Sequence, residues 1–77
     1  MKINNKVIIN IKNYSDYALG CAERLDKQTG TIIEEKFGIF SGEKKFLVQF
    51  DSPVKSWLST APEIVCFWFE EENLKLA

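Results

Sequence analysis

A regular alternation of apolar and polar residues near the start of the chain predicts a β-strand from Lys6 to Lys12. Val7, Ile9 and Ile11 share one face of this strand, whereas Ile8 lies on the other face and interrupts the alternation. β-Branched residues of this kind pack well on a pleated surface. We therefore expect the first face to belong to the core.

The apolar positions then change to helical spacing. Four small or apolar residues recur three or four positions apart, namely Ala18, Cys21, Ala22 and Leu25. Ser15 can cap the first free amides of a helix, and Gly30 can adopt the left-handed conformation that ends one. The pattern predicts a short helix from Asp16 to Lys27. Gly20 costs this helix about 1 kcal/mol relative to alanine, so an irregular loop is the alternative.

A period of two returns in the middle of the chain and predicts a hairpin. Its strands run from Thr31 to Phe37 and from Phe46 to Asp51. Gly38 and Gly42 can supply positive φ angles to a connection longer than a tight turn. Both prolines and three serines fall between Ser52 and Glu63, which predicts a loop or excursion there.

The last part of the chain contains an uninterrupted apolar run, from Ile64 to Phe69. Such a run is typical of a strand with both faces covered, or with one aromatic face in contact with a partner. If it is a strand, Phe67 and Phe69 lie opposite Trp68. One turn around Glu70 to Asn73 and a short strand from Leu74 to Leu76 follow.

The Thr-Gly-Thr-Ile-Ile entry into the hairpin, the returning Leu-Val-Gln-Phe-Asp strand and the single turn before a terminal strand together resemble the SH3-like small β-barrels. KOW-type domains and the small reaction-centre and reductase subunits are the most similar variants. In such barrels the segment matching Gly30 to Ile33 begins a strongly bent strand. The segment matching Glu71 to Leu74 makes the one-turn connection to a last strand that pairs beside the first. The resemblance covers about Thr29 to Leu76 and implies no particular function.

The fold predicted from these elements is mainly β, an SH3-like small barrel of about five strands with one short helix near Asp16 to Lys27. Closing a short sheet into a barrel removes its edge strands. The alternative is an α+β fold in which the helix packs across an open antiparallel sheet. The two differ in whether Val7 to Ile11 pairs with Leu74 to Leu76.

The length and the net charge of the chain limit the classes of function that it can have. The chain has 77 residues, 10 basic and 11 acidic side chains and a formal net charge of −1. This length fits one domain, and the charge does not favour polyanion binding. Because no apolar stretch is long enough for a membrane span or a signal peptide, we expect a cytoplasmic protein with no membrane partner. The weighting toward Asn, Ile, Lys and Glu is typical of A/T-rich genomes and indicates a bacterial or phage origin.

Catalytic chemistry has little support in the sequence. Histidine, the commonest general base near neutral pH, is absent. Cys21 and Cys66 lack metal-ligand spacing, so we expect both to be reduced and largely buried, with a disulfide only in an oxidising compartment. The acidic runs at Glu34 to Glu35 and Glu70 to Glu72 are typical of solvated surface. We therefore expect no enzyme, no catalytic residue, no metal and no cofactor.

Aromatic side chains are the remaining candidates for function. A domain this small cannot bury all of its six phenylalanines, two tyrosines and two tryptophans. We predict that Phe40, Trp57 and Trp68 contribute to a surface that binds a protein or peptide. Alternatively, Trp57 folds back as a lid on its own core. The expected function is a non-enzymatic binding module or small accessory subunit with an unidentified protein partner, and a homodimer is an alternative.

Single-stranded nucleic acid is a further alternative partner. Lys44, Lys45 and Lys55 could cluster with Phe40 and Phe46 near the hairpin tip, which combines positive charge with stacking surfaces. The neighbouring acidic residues and the net negative charge argue against this alternative.

Overall fold

The structure is a computed structural model that describes residues 1–17, 20–38, 42–56 and 60–77. Most of its regular structure is strand: β1 (Lys6–Ile9), β2 (Thr29–Phe37), β3 (Lys44–Val54), β4 (Ile64–Glu70) and β5 (Leu74–Leu76). These ranges also contain one helix, α1 (Cys21–Leu25), and two 3₁₀ turns (Tyr14–Asp16 and Glu71–Asn73). The prediction of a mainly β chain with five strands and one short helix is confirmed.

The strands form one antiparallel sheet in the order β4-β3-β2-β1-β5. β1 pairs with β5, and Val7 lies opposite Leu76 while Ile9 lies opposite Leu74. The terminal strand therefore pairs beside the first, which is the arrangement that the resemblance implies. The expectation of a closed barrel is wrong, because the sheet is open: in the described part of the chain, β4 and β5 are its two edges and do not pair with each other.

The core lies on one face of this sheet. Val7, Ile9 and Ile11 are all buried, which confirms the predicted inner face of the first strand, although β1 itself ends at Ile9. The other strands and α1 complete the buried cluster with Cys21, Ala22, Leu25, Ile32, Phe46, Val48, Phe50, Val54, Phe69 and Leu74. Every second residue of β3 from position 46 to 50 thus faces the core, as expected for a strand with one covered face.

The helix is shorter than the predicted segment from Asp16 to Lys27. Gly20 precedes α1 with a φ of 80°, a left-handed conformation that interrupts a helix and that glycine adopts without steric cost. At the other end, Lys27 has a φ of 69° and its amide donates a hydrogen bond of 2.7 Å to the Ile9 carbonyl. The helix therefore ends where the chain turns to pair with β1. Ala18, one of the predicted helical residues, lies outside the described residues together with residue 19.

Ser15 and Gly30, which the sequence suggests as the cap and the end of the helix, have other roles in the structure. The first 3₁₀ turn is capped by Asn13, whose side-chain oxygen accepts hydrogen bonds from the amide and the hydroxyl of Ser15. Gly30 does not end the helix; it lies inside β2, opposite both Val7 of β1 and Phe50 of β3. Because glycine has no side chain, the backbones of β2 and β3 can approach each other closely at this position.

β3 extends further than predicted, because it continues through Pro53 to Val54. The β3–β4 pairing jumps from Gln49 to Val54, and the β2–β3 pairing ends at Phe50. Pro53 has no amide hydrogen, and it falls in a stretch of β3 without an opposing residue, where no ladder hydrogen bond is lost. Residues 52–54 thus belong to β3 and not to the predicted loop, and residues 57–59 of that segment lie outside the described residues.

The remaining boundaries agree closely with the sequence. β4 is one residue longer than predicted, and the turn and β5 follow as expected. In the hairpin connection Gly42 has the predicted positive φ, 68°, and the Gly38 amide donates to the Glu43 carbonyl at 2.9 Å. None of the helices within the described ranges is long and apolar enough to cross a membrane.

The side chains of Asp26 and Asn73 form hydrogen bonds with the segment that follows β1. Asp26 Oδ1 accepts a hydrogen bond from the Ile11 amide at 2.9 Å, and the Tyr14 hydroxyl donates to Asp26 Oδ2. From the second 3₁₀ turn, the buried Asn73 accepts from the Lys12 amide at 3.0 Å. These bonds satisfy backbone amides of a segment that makes no ladder of its own.

Substituting Gly30 with alanine is expected to destabilise the fold strongly. A Cβ atom at this position would lie 2.4 Å from the Gln49 carbonyl oxygen and 2.7 Å from Val48 Cγ1. Backbone must move to relieve such a clash, so we expect a loss of about 3 kcal/mol or more in urea denaturation. Gly42→Ala is the matched control, because its Cβ meets nothing within 4 Å and only the positive φ costs about 1 kcal/mol. Equal losses for the two variants would contradict the close approach.

Asp26 is expected to make the stability depend on pH. Burial alone would raise the pKa of this carboxyl, but the hydrogen bonds from Tyr14 and Ile11 outweigh it and the pKa is lowered. Its contribution is therefore present above the usual carboxyl pKa and is lost as the pH falls through the lowered value. We expect Asp26→Asn to lower the melting temperature by about 4 °C or more at pH 7.

The difference between wild type and Asp26→Asn should then shrink as the pH falls from about 5 to about 2 in thermal unfolding followed by circular dichroism. Tyr14→Phe is the control, since it removes only the hydroxyl donor and should give a smaller effect with the same pH trend. A difference that is constant over this pH range would rule out the ionised carboxylate as the stabilising form.

Candidate functional site

The candidate site lies on the side of β2, β3 and β4 that faces away from the core. We call it the outer face; it consists of Glu34, Lys36, Lys45, Leu47, Gln49, Cys66, Trp68 and Glu70, which the strand registers place in adjacent rows. Its position follows from strand alternation, because Phe46 and Val48 are buried on the other side. Phe69 is buried and Phe67 packs against the core, so Trp68 points outward as predicted.

Trp68 is supported by two residues from different strands. Leu47 of β3 lies directly opposite it in the register, where side chains of neighbouring strands contact each other. Lys36 of β2 reaches across β3, and its Nζ lies 4.6 Å from the centre of the indole ring. This is a cation–π contact, which adds about 0.5–1 kcal/mol at an exposed site. Trp68 is only partly buried, so it offers an aromatic surface with a positive charge beside it.

Other apolar groups on these strands are also accessible. Cys66 is exposed on the outer face, two residues before Trp68. The register of β2 shifts between Ile32 and Glu34, and this bulge leaves Ile33 41% exposed. An aromatic ring with accessible apolar side chains on the same strands is typical of a surface that a partner covers.

The predicted aromatic site is only partly described. Phe40 and Trp57 lie outside the described residues, and so does the alternative in which Trp57 covers its own core. Trp68 is the one predicted aromatic site residue that falls within the described ranges. Lys36 was not predicted, because its contact with Trp68 depends on strands that are distant in sequence.

The three lysines predicted for nucleic acid binding are not brought together. Lys44 lies on the opposite side of β3 from the outer face, with its Nζ 3.3 Å from Glu35 Oε2. Lys45 lies on the outer face opposite Glu70. Lys55 follows the other end of β3, roughly 30 Å away along the strand. The carboxylates of Glu35 and Glu70 therefore offset the charges of Lys44 and Lys45, and Lys55 lies far from both lysines.

β4 also has an unpaired edge, which the sequence did not predict. It pairs with β3 and with no other strand of the described chain, and its Val65 side chain is 51% exposed. A continuous apolar run is the usual pattern of a central strand, so nothing in the run itself marks an edge. The order of strands, which is a tertiary property, exposes it.

The carboxyl end of this edge is acidic. Glu43, Lys44, Glu70, Glu71 and Glu72 line a surface cleft of about 310 Å³. Four carboxylates face one ammonium group there, and Lys44 is also close to Glu35. This cleft suits a cationic side chain more than an anionic group.

The two cysteines differ in accessibility. Cys21 is the first residue of α1 and is buried, and burial together with the neighbouring Glu23 raises the pKa of its thiol. Cys66 is exposed, which corrects the expectation that both are buried. It falls on the side of β4 that the core does not cover. Both thiols are free.

No metal centre is found in residues 1–17, 20–38, 42–56 and 60–77, since no group of three or more potential ligand side chains comes together there. Comparison of the chain with known protein families, curated proteins and solved structures finds no match. The assignment of function therefore depends on the geometry of the outer face and of the β4 edge.

Thiol labelling is expected to distinguish the cysteines. In the folded chain Cys66 should react with a maleimide reagent at neutral pH, whereas Cys21 should react only after unfolding in urea, because it is buried and less ionised. Mass spectrometry should give one label per folded chain and two per unfolded chain. Cys66→Ser should abolish labelling of the folded chain. Two rapid labels on the folded protein would contradict the burial of Cys21.

Proposed function

We propose that this chain is a non-enzymatic binding module, or a small accessory subunit, that makes protein–protein contacts through the outer face around Trp68. The observation that carries the proposal is the partly exposed indole ring of Trp68, which lies opposite Leu47 and in contact with the Lys36 ammonium group. Tryptophan is among the residues that contribute most to binding energy at protein interfaces.

The way in which Trp68 is held supports this role. A side chain that already contacts a neighbouring strand and a cation loses little conformational freedom when a partner covers it. Lys36, Lys45 and Glu70 form the row beside Leu47 and Trp68, and Glu34 lies opposite Leu47, so charged groups border the apolar centre. An apolar centre with a polar rim is the usual anatomy of such interfaces.

The proposal includes the resemblance to SH3-like barrels. It is supported by the strand order, in which β1 lies between β2 and β5, and by the single 3₁₀ turn before β5. Small barrels of this kind carry many unrelated functions, so the fold adds nothing to the choice of partner. A cytoplasmic location is also part of the proposal, and the free thiols of Cys21 and Cys66 support it.

Replacing Trp68 with alanine is expected to abolish binding while the fold persists. The chain with an affinity tag is used to capture proteins from native lysate, and each captured protein is identified by mass spectrometry and purified. We expect its affinity for Trp68→Ala to be at least about 30-fold weaker by calorimetry, since interface hot spots contribute 2 kcal/mol or more.

Phe37→Ala is the matched control, because Phe37 is an aromatic residue on the same sheet that is 65% exposed but does not lie on the outer face. This variant should retain the captured protein. Circular dichroism confirms that both variants are folded at the temperature of the assay. Equal affinity of wild type and Trp68→Ala would contradict the proposed surface.

A further inference from the structure

One side of β4 pairs with no strand among the residues that the structure describes, and it presents the backbone groups of an edge. β4 has seven residues, and β3 pairs with it only on one side, from Lys45 opposite Glu70 to Gln49 opposite Cys66. In an antiparallel edge strand, every second residue directs its N–H and C=O groups away from the neighbouring strand. About three residues of β4 can therefore pair with an added strand.

The two edges of the sheet are protected to different degrees. β5 has only three residues and carries Lys75 at its centre, two features that discourage further pairing. β4 is more than twice as long, and neither lysine nor proline interrupts it between Ile64 and Glu70. A long apolar edge without such protection is a site for strand addition.

The side chains of β4 would contact an added strand on both of its faces. Strand alternation places Val65 on the face opposite Cys66 and Trp68, and its side chain is 51% exposed. On the outer face, Cys66 and Trp68 are accessible beside the edge. Alternating apolar side chains of an extended segment would pair with these residues across the new ladder.

Charge determines which segment fits. An exposed carboxylate, Glu63, precedes β4, and three more, Glu70, Glu71 and Glu72, follow its apolar run and line the acidic cleft. Carboxylates thus outnumber lysines at the cleft end of the edge, whereas the Val54–Ile64 pair places Lys55 beside the end where Glu63 lies. A segment with Lys or Arg at its ends gains electrostatic attraction chiefly at the cleft end, where an acidic segment is repelled.

The same charges disfavour a second copy of this chain. Full antiparallel overlap of β4 with its copy pairs Ile64 with Glu70 and sets Glu63 opposite Glu71 of the second copy. Like charges in opposing positions destabilise a pair of strands. A parallel overlap brings the acidic ends together as well.

We propose that β4 binds an extended segment of another protein by strand addition, and that this segment carries alternating apolar residues flanked by Lys or Arg. The inference rests on the proposed function, because it specifies the chemistry of the protein partner. The backbone ladder supplies affinity, while Val65, Trp68 and the acidic ends select the sequence.

A phage-displayed library of random twelve-residue peptides, selected against the full chain, tests the inference. We expect enriched peptides with alternating apolar residues and basic ends. A synthetic copy of the most enriched peptide should slow amide hydrogen exchange in β4. Its affinity, measured by fluorescence anisotropy, should fall at least about tenfold for Val65→Lys, since a lysine on the edge blocks pairing and repels basic ends. It should also fall several-fold for Glu71→Gln combined with Glu72→Gln.

Leu76→Lys is the matched control, because Leu76 is an exposed apolar residue on the opposite edge of the sheet. This variant should bind the peptide as wild type does. Val65 and Leu76 are both largely exposed, so both variants are expected to fold, and circular dichroism verifies it. The exchange measurement uses the wild-type chain and needs no variant.

Several outcomes would overturn the inference. Enriched peptides with acidic ends would contradict the role of the carboxylates. Doubling of the mass in sedimentation, with β4 amides already protected in the free protein, would identify a second copy as the occupant. Peptides that lose affinity for Trp68→Ala but not for Val65→Lys would refute strand addition and leave the proposed function intact. Failure of Trp68→Ala to affect any captured protein would refute the proposed function itself.

Discussion

The sheet depends on the close approach of β2 to β3 at Gly30. At this point three strands lie side by side, and Val7, Gly30 and Phe50 form one row across them. A side chain at position 30 would occupy the space of the β3 backbone. Two residues later the register shift after Ile32 introduces a bulge, which bends a strand and increases its twist. β2 can thus pair with β1 along its first part and with β3 along most of its length.

The bend in β2 divides the sheet into two parts. The first part of β2 pairs with β1, and the segment that follows β1 is held by hydrogen bonds to Asp26 and Asn73. The later part carries Lys36 beyond the bulge, where it reaches across β3 to Trp68. The later part also buries Phe46 and Phe69 on its inner side, and its other side forms the outer face.

Local alternation predicted most of the strands, because the inward positions of β1, β3 and β4 are visible in short stretches of sequence. The position of Trp68 on the face opposite Phe69 follows from the same rule. The predicted helix is too long, because Gly20 and Lys27 have positive φ angles and Lys27 bonds to Ile9 of β1, a contact that is distant in sequence. The exposure of Cys66 and the Lys36 contact depend on the order of strands, which no local pattern encodes.

The unequal edges also limit how an assembly built on this sheet can grow. A sheet with two long bare edges can be extended at both sides and can propagate as a filament. Here one side ends in β5, a strand of three residues, so it offers almost no template for another chain. Strand addition of the kind proposed is therefore confined to the β4 side. The length of β5 sets that limit, and the sheet has one direction of growth instead of two.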